Sequence, residues 1–124
     1  MKPSGRRTAA QAAGGAAEEA AASFLAHRGL ELVARNYRTR MGEIDLVARD
    51  GATLVFVEVR MRAASGGRFG GAASSVDFRK RSRIEAAARH FLARLAHEPP
   101  CRFDVVTLDG EGAIEWHRAA FETA

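Results

Sequence analysis

Residues Gly42–Arg62 read GEIDLVARDGATLVFVEVRMR, two alternating runs around Asp50-Gly51. Apolar and polar residues recur with period two, the signature of strands, and Asp-Gly between such runs signals a tight hairpin. With Asp50-Gly51 as a two-residue turn, Ile44 faces Val57, Leu46 faces Val55 and Ala48 faces Thr53 on an apolar face. The other face pairs Val47 with Leu54, Asp45 with Phe56 and Glu43 with Glu58. A one-residue slip would mix polar and apolar groups on both faces, so alternation disfavours it. In this register Asp45 and Glu58 are diagonal neighbours, about 7–8 Å apart. Like charges this close need neutralising, by a shared divalent cation on oxygen ligands or by local arginines.

The rest of the chain builds outward from this hairpin. Residues 1–13 are small, polar or basic without periodicity and read as a disordered basic tail; residues 14–124 read as a single domain. Gly14-Gly15 precede a helical run, Ala16 to His27, stopped by Gly29. Its stripe is Ala17, Ala21, Phe24, Leu25 and Arg28, with Glu18 at the edge. Leu30 to Tyr37 reads as a first strand. Ala63 to Ser75, rich in Gly, Ala and Ser, reads as a mobile loop, with Ser74 or Ser75 placed to cap a second helix reaching His97. The stripe of that helix is Ile84, Ala87, Ala88, Phe91, Leu92 and Leu95, and Pro99-Pro100 ends it. Arg102 to Leu108 and Ala113 to His117 complete an order αβββαββ. The crossover between the third and fourth strands is long enough to make them parallel. An α/β fold follows, a mixed central sheet flanked by helices.

Composition narrows the function. A single cysteine, Cys101, excludes a disulfide framework or a cysteine-rich zinc module. The four histidines have no ligand spacing, and Gly66-Gly67 and Gly70-Gly71 lack the lysine of a phosphate-binding loop. No run reaches the ~20 apolar residues of a membrane span, and the N-terminus lacks the apolar stretch of a signal peptide, so a cytoplasmic protein without membrane contact is expected. The net charge is +4, carried by 17 arginines and 2 lysines. GC-rich codon usage accounts for that ratio but not for where the charges fall. From Arg60 to Arg83 seven basic residues meet one acid, Asp77, a local charge of +6. Such a segment fits either phosphate contacts or a solvated helix start.

GEIDLVARDGATLVFVEVRMR, together with Asn36-x-Arg38, FGGAASSV and RFDVV, resembles the bacterial YraN-like family of small proteins across Gly14 to Phe121. That family is grouped with the restriction-endonuclease-like, or PD-(D/E)XK, nucleases and Holliday-junction resolvases. The resemblance implies their three-layer fold and a metal-dependent endonuclease acting on DNA, linear or branched, with Mg²⁺ or Mn²⁺. By position, Asp45 matches the aspartate of the second strand and Glu58 the acid of the E-x-K element. Glu18 matches a glutamate of the first helix where resolvase-like nucleases keep an extra metal ligand, and Lys80 a lysine of the second helix. Arg60 stands where the superfamily keeps lysine, although YraN-like sequences also tolerate arginine there. Arginine clamps a phosphate but is a poor base. Resolvase-like nucleases usually act as homodimers, though this sequence contains no self-complementary patch.

The expected site therefore comprises Asp45, Glu58 and Glu18 as metal ligands, with Arg60 and Lys80 beside the reacting phosphate. Arg62, Arg68, Arg79, Lys80 and Arg83 form the nucleic-acid contact set. Lys80, four residues before Ile84, lies either at the edge of the core with its ammonium snorkelling or over the carboxylates as a substitute for the missing lysine. Asp104 is expected to bond backbone or an arginine, and Trp116 and Tyr37 either to fill core or to stack on bases. The alternative function is a non-catalytic nucleic-acid-binding or adaptor protein on the same fold, which would need no metal.

Overall fold

The structure, a computed structural model, describes residues 9–62 and 77–121. Its elements are α1 (Ala9–His27), β1 (Glu31–Arg38), β2 (Glu43–Asp50), β3 (Thr53–Met61), α2 (Phe78–Leu92), β4 (Cys101–Leu108) and β5 (Ile114–Phe121). The strands form one sheet in the order β1-β2-β3-β4-β5. β3 and β4 run parallel and every other neighbouring pair antiparallel. The helix between β3 and β4 is the crossover that a parallel pair requires.

Both faces of the sheet are buried. On one, Ala17, Ala21, Ala22 and Leu25 of α1 pack on Leu46, Ala48, Val55, Val57, Val106 and Leu108. On the other, Ile84, Ala87, Ala88 and Phe91 of α2 pack on Ile44, Val47, Leu54, Phe56, Phe103 and Val105. Alanines at the spacing of one helical face let α1 approach closely, and fully burying Leu25 stabilises by about 2 kcal/mol. Arg28, expected on that stripe, is exposed and lies over the Phe24 ring.

Several boundaries differ from the sequence expectation. α1 begins at Ala9, so Gly14-Gly15 lie inside it and residues 9–13 are helical; residues 1–8 lie outside the described residues. Asp77, not a serine, caps α2, its carboxylate accepting from the Lys80 amide at 2.9 Å. α2 closes at Leu92 through tighter bonds, Arg94 N–H to Phe91 O and Leu95 N–H to Leu92 O, before the prolines are reached. β5 extends to Phe121.

The register of the β2–β3 hairpin is also corrected. Asp50 pairs with Thr53 and Leu46 with Val57, so the turn residues are Gly51 and Ala52. Gly51 adopts φ 61 as the first turn residue, which matches a type II′ hairpin. The ladder is displaced by two residues from expectation, so side chains keep their parity.

Parity fails near the start of β2. Between the pairs Arg35–Leu46 and Tyr37–Ile44, Asn36 takes the left-handed φ of 50, and the strands switch faces there. Ile44 therefore packs against α2 while Leu46 and Val57 pack against α1; Ile44 and Val57 do not share a face as expected. Asparagine is among the few residues that tolerate this conformation.

Asp104 fastens the far edge. Fully buried, it accepts from Trp116 Nε1 and the Ala119 amide, each at 2.9 Å, and from Arg102 Nε at 3.0 Å. Arg102 reaches Asp50 at 3.0 Å, linking β4 to the hairpin turn. Asp104 thus bonds backbone and an arginine, as its setting in the sequence suggests. Trp116 also meets Phe24 edge-on, and Tyr37 packs on Phe91, so both half-buried aromatics pack against the core.

Gly42 is a tight contact. A Cβ there would lie 2.1 Å from the backbone oxygen of Arg83 in α2. Gly42→Ala is expected to push the β1–β2 turn off α2 and cost about 1–3 kcal/mol. Gly110, with nothing near its Cβ position, gives the control: Gly110→Ala should leave the denaturation midpoint unchanged.

Candidate metal and phosphate site

The site forms where β2 and β3 part. The paired ladder ends at Leu46–Val57. Beyond it Asp45 Oδ2 accepts the Val59 amide at 2.8 Å, taking the place of a ladder carbonyl. This bond holds the Asp45 carboxylate against β3, where it also hydrogen-bonds Glu58. Asp45 and Glu58, expected as diagonal neighbours, are thus in direct contact, and both are buried.

Two cations reach Glu58 Oε2: Lys80 Nζ at 3.3 Å and Arg60 Nη1 at 3.6 Å. Of the two expected placements of Lys80, its ammonium takes the one over the carboxylates. Arg60, Asp77, Arg79, Lys80 and Arg83 line an open recess of about 220 Å³ at the start of α2.

Burial and the neighbouring charge of Glu58 push Asp45 up to about 7, against the weaker opposing effects of the Val59 amide and Lys80. Asp45 therefore keeps its proton towards neutrality, as a buried acid beside another carboxylate does. Glu18 is nearby on α1, and burial followed by the Asp45 charge raises it as well. Its carboxylate bonds the Asn36 side chain. Among the described residues, no three His, Cys, Asp or Glu side chains gather closely enough to hold a metal ion. Asp45, Glu58 and Glu18 therefore do not gather into one three-acid cluster among the described residues; Glu18 feels the Asp45 charge and bonds Asn36.

Two buried carboxylates still fit Mg²⁺ or Mn²⁺. These ions are held through one or two carboxylates, with water and substrate oxygens completing the shell. The Glu58 charge that helps raise Asp45 is the repulsion a cation here would relieve.

The expected contact residues divide. Arg79 and Arg83 are exposed and form no ion pair among the described residues. Arg62 is bound to Glu115 at 2.9 Å, so its charge is already answered. Arg68 lies outside the described residues, as does the glycine-rich loop. Cys101 donates to Pro99 O at 3.2 Å, and burial pushes its thiol up, which leaves it inert. Asn36 and Gly42 were missed as positioning residues. An asparagine within a strand-like run is the one signal that marked the first.

The model of the "uncharacterised protein family UPF0102" matches residues 17–108, a span that runs from the middle of α1 through the fork to the end of β4. The chain belongs to the UPF0102 family. A UPF0102 protein of Ralstonia nicotianae is 58% identical over 115 residues, covering 90% of this chain and 88% of the relative. One from Cupriavidus pinatubonensis is 53% identical over 124 residues (98% and 94%). One from Nitrosomonas europaea is 51% identical over 111 residues (88% and 92%). The UPF0102 family is the YraN-like family that the sequence resembles. No helix among the described residues of this UPF0102 protein is long and apolar enough to cross a membrane.

The raised Asp45 makes stability depend on pH. Between 3.8, its ordinary value, and about 7, the folded protein holds a proton that the unfolded chain has released. Stability is therefore greatest below that window and falls as pH rises through it, by on the order of a few kcal/mol. Thermal midpoints in EDTA should drop from pH 5 to pH 8. Asp45→Asn should flatten the profile and raise the midpoint at pH 8. A native profile that rises over this range would contradict the raised Asp45.

Proposed function

We propose that this UPF0102 protein is a metal-dependent endodeoxyribonuclease on a restriction-endonuclease-like fold. The observation that carries the reading is the buried Asp45–Glu58 pair, held at the strand fork by the Val59 amide and faced by Lys80 and Arg60. Asp45 and Glu58 would hold Mg²⁺ or Mn²⁺ through oxygen. When bound, the ion would supply positive charge and acidify a coordinated water. Arg60 and Lys80 would bind a phosphodiester entering the recess and stabilise the charge that develops on it. In such a hydrolysis a water oxygen would bond to phosphorus as one ester P–O bond breaks, the water giving up a proton to solvent and the departing oxygen taking one from solvent. Arg60 would contribute a planar guanidinium that can clamp two phosphate oxygens, and Lys80 a compact point charge.

The second reading, a non-catalytic nucleic-acid-binding or adaptor protein in the cytoplasm, as monomer or homodimer, draws on the same contacts. Lys80 and Arg60 already answer the charge of Glu58 without a metal.

A cleavage screen over linear and branched DNAs with Mg²⁺ and Mn²⁺ separates them. The native protein is expected to cleave slowly and Asp45→Asn not at all. Arg60→Lys should raise the rate with little change in DNA affinity, and Lys80→Ala should lower it. Activity undiminished in Asp45→Asn would identify a contaminant. No cleavage by either the native or the Arg60→Lys protein would favour the adaptor reading.

Binding has its own test. Replacing Arg79, Lys80 and Arg83 by alanine should reduce the slope of log affinity against log salt by about 0.7–0.9 per lost phosphate contact. An unchanged slope would make these side chains a solvated face.

A further inference from the structure

The turn between β1 and β2 presents an unusual surface. Met41 at its tip is 69% exposed, on a backbone that is tied down. Thr39 Oγ1 accepts the amides of Met41 and Gly42, each at 3.1 Å, and the Thr39 amide donates to Gly42 O at 2.8 Å. Gly42 seats the turn on the backbone of Arg83. Other exposed large apolar residues have different settings. Leu32 and Val33 lie on the edge strand at its bulge, and Met61 and Phe78 border the undescribed segment. Met41 alone among them stands on a rigid turn.

Its surroundings are basic. Arg40 precedes it and makes no ion pair among the described residues. Arg38, exposed and 3.4 Å from Glu43, joins Arg40, Met41 and His90 around an open groove of about 860 Å³. Gly42 lies against the backbone of Arg83, and Arg83 lines the recess of Arg60, Arg79 and Lys80. The tip and the carboxylates share β2, and Gly42 to Asp45 spans about 10 Å of strand.

Resting on the nuclease reading, we infer that Thr39–Gly42 is a DNA wedge: Met41 enters a base step while Arg40 and Arg83 hold the flanking phosphates. Methionine is among the apolar side chains that proteins insert between base steps, usually with arginine alongside. An anionic duplex complements the surrounding charge, and an apolar protein partner does not. A single wedge of this size favours a step whose stacking is already broken. The substrate class is therefore DNA with a stacking discontinuity, such as a bulge or a branch point.

The test needs no cleavage. In EDTA, full-length native protein, Met41→Ala, Met41→Leu and Arg40→Ala are titrated into a linear duplex, a bulged duplex and a four-way junction. Each DNA carries 2-aminopurine beside the step of interest. Because unstacking an intact step is costly, the native protein should bind the discontinuous DNAs about tenfold more tightly than the duplex and brighten the probe. Met41→Ala should lose the preference and the brightening yet keep duplex affinity, and Met41→Leu should recover both. Arg40→Ala should weaken binding to all three. Unchanged thermal midpoints show that the exposed substitutions leave the fold intact. DNA binding without a preference, or a preference that survives Met41→Ala, overturns the wedge and leaves the nuclease reading standing. Failure to bind any of the DNAs overturns both.

Discussion

The hydrogen bond from the Val59 amide to Asp45 Oδ2 sets the rest of the site. A sheet continues while backbone donors meet backbone acceptors; here a side chain takes one of them, and β2 parts from β3. The parting leaves room for two carboxylates at the carboxyl end of β3, between the layers of the two helices. It also fixes the orientation of Asp45, because an acceptor bonded to a rigid amide has little rotational freedom. The face switch at Asn36 belongs to the same event. With Asp45 committed to β3, β1 follows through a left-handed residue, and Ile44 turns to meet α2.

Burying two acids together opposes folding, and the surrounding groups determine how far. Exposed ion pairs are worth little, but Glu58 is 5% exposed, so its contacts with Lys80 and Arg60 are only partly screened. The two cations are not equivalent. Arg60 sits two residues along the same strand and moves with Glu58. Lys80 comes from the first turn of α2, where Asp77 holds its backbone amide. Glu58 therefore couples the sheet to the start of α2, and the recess between them is lined by side chains whose bases are already fixed. Such preorganisation allows developing charge to be stabilised without rearrangement.

Much of this was legible in the sequence because it depends on period and order. Alternation located all five strands, the stripe of α2 named its buried residues, and the crossover length made β3 and β4 parallel. The register was missed by two residues, because Asp50-Gly51 and Gly51-Ala52 both offer Gly51 a left-handed turn position. Parity could not choose between them. Glu18 came from the resemblance rather than from pattern; it feels the Asp45 charge, but its hydrogen-bond partner is Asn36 on β1. Arg62 looked available because Glu115, its partner, lies 53 residues away. Pattern within an element was readable; pairings between elements depended on the fork and on how β5 closes the sheet.

Gly42 shows how one small residue carries that dependence across the molecule. Its missing side chain allows the turn after β1 to rest on Arg83, and Arg83 lies one helical turn beyond Lys80. The position of the Lys80 ammonium over Glu58 is therefore set from two sides, by the Asp77 cap at the start of α2 and by the β1–β2 turn against its flank. Ile44 adds a third constraint, packing in the α2 cluster two residues after Gly42. Any residue larger than glycine at position 42 would lift α2 from the turn and draw Lys80 from Glu58, although it touches neither. The carboxylate pair would then lose its nearer cation while keeping Arg60, whose place on β3 does not depend on α2.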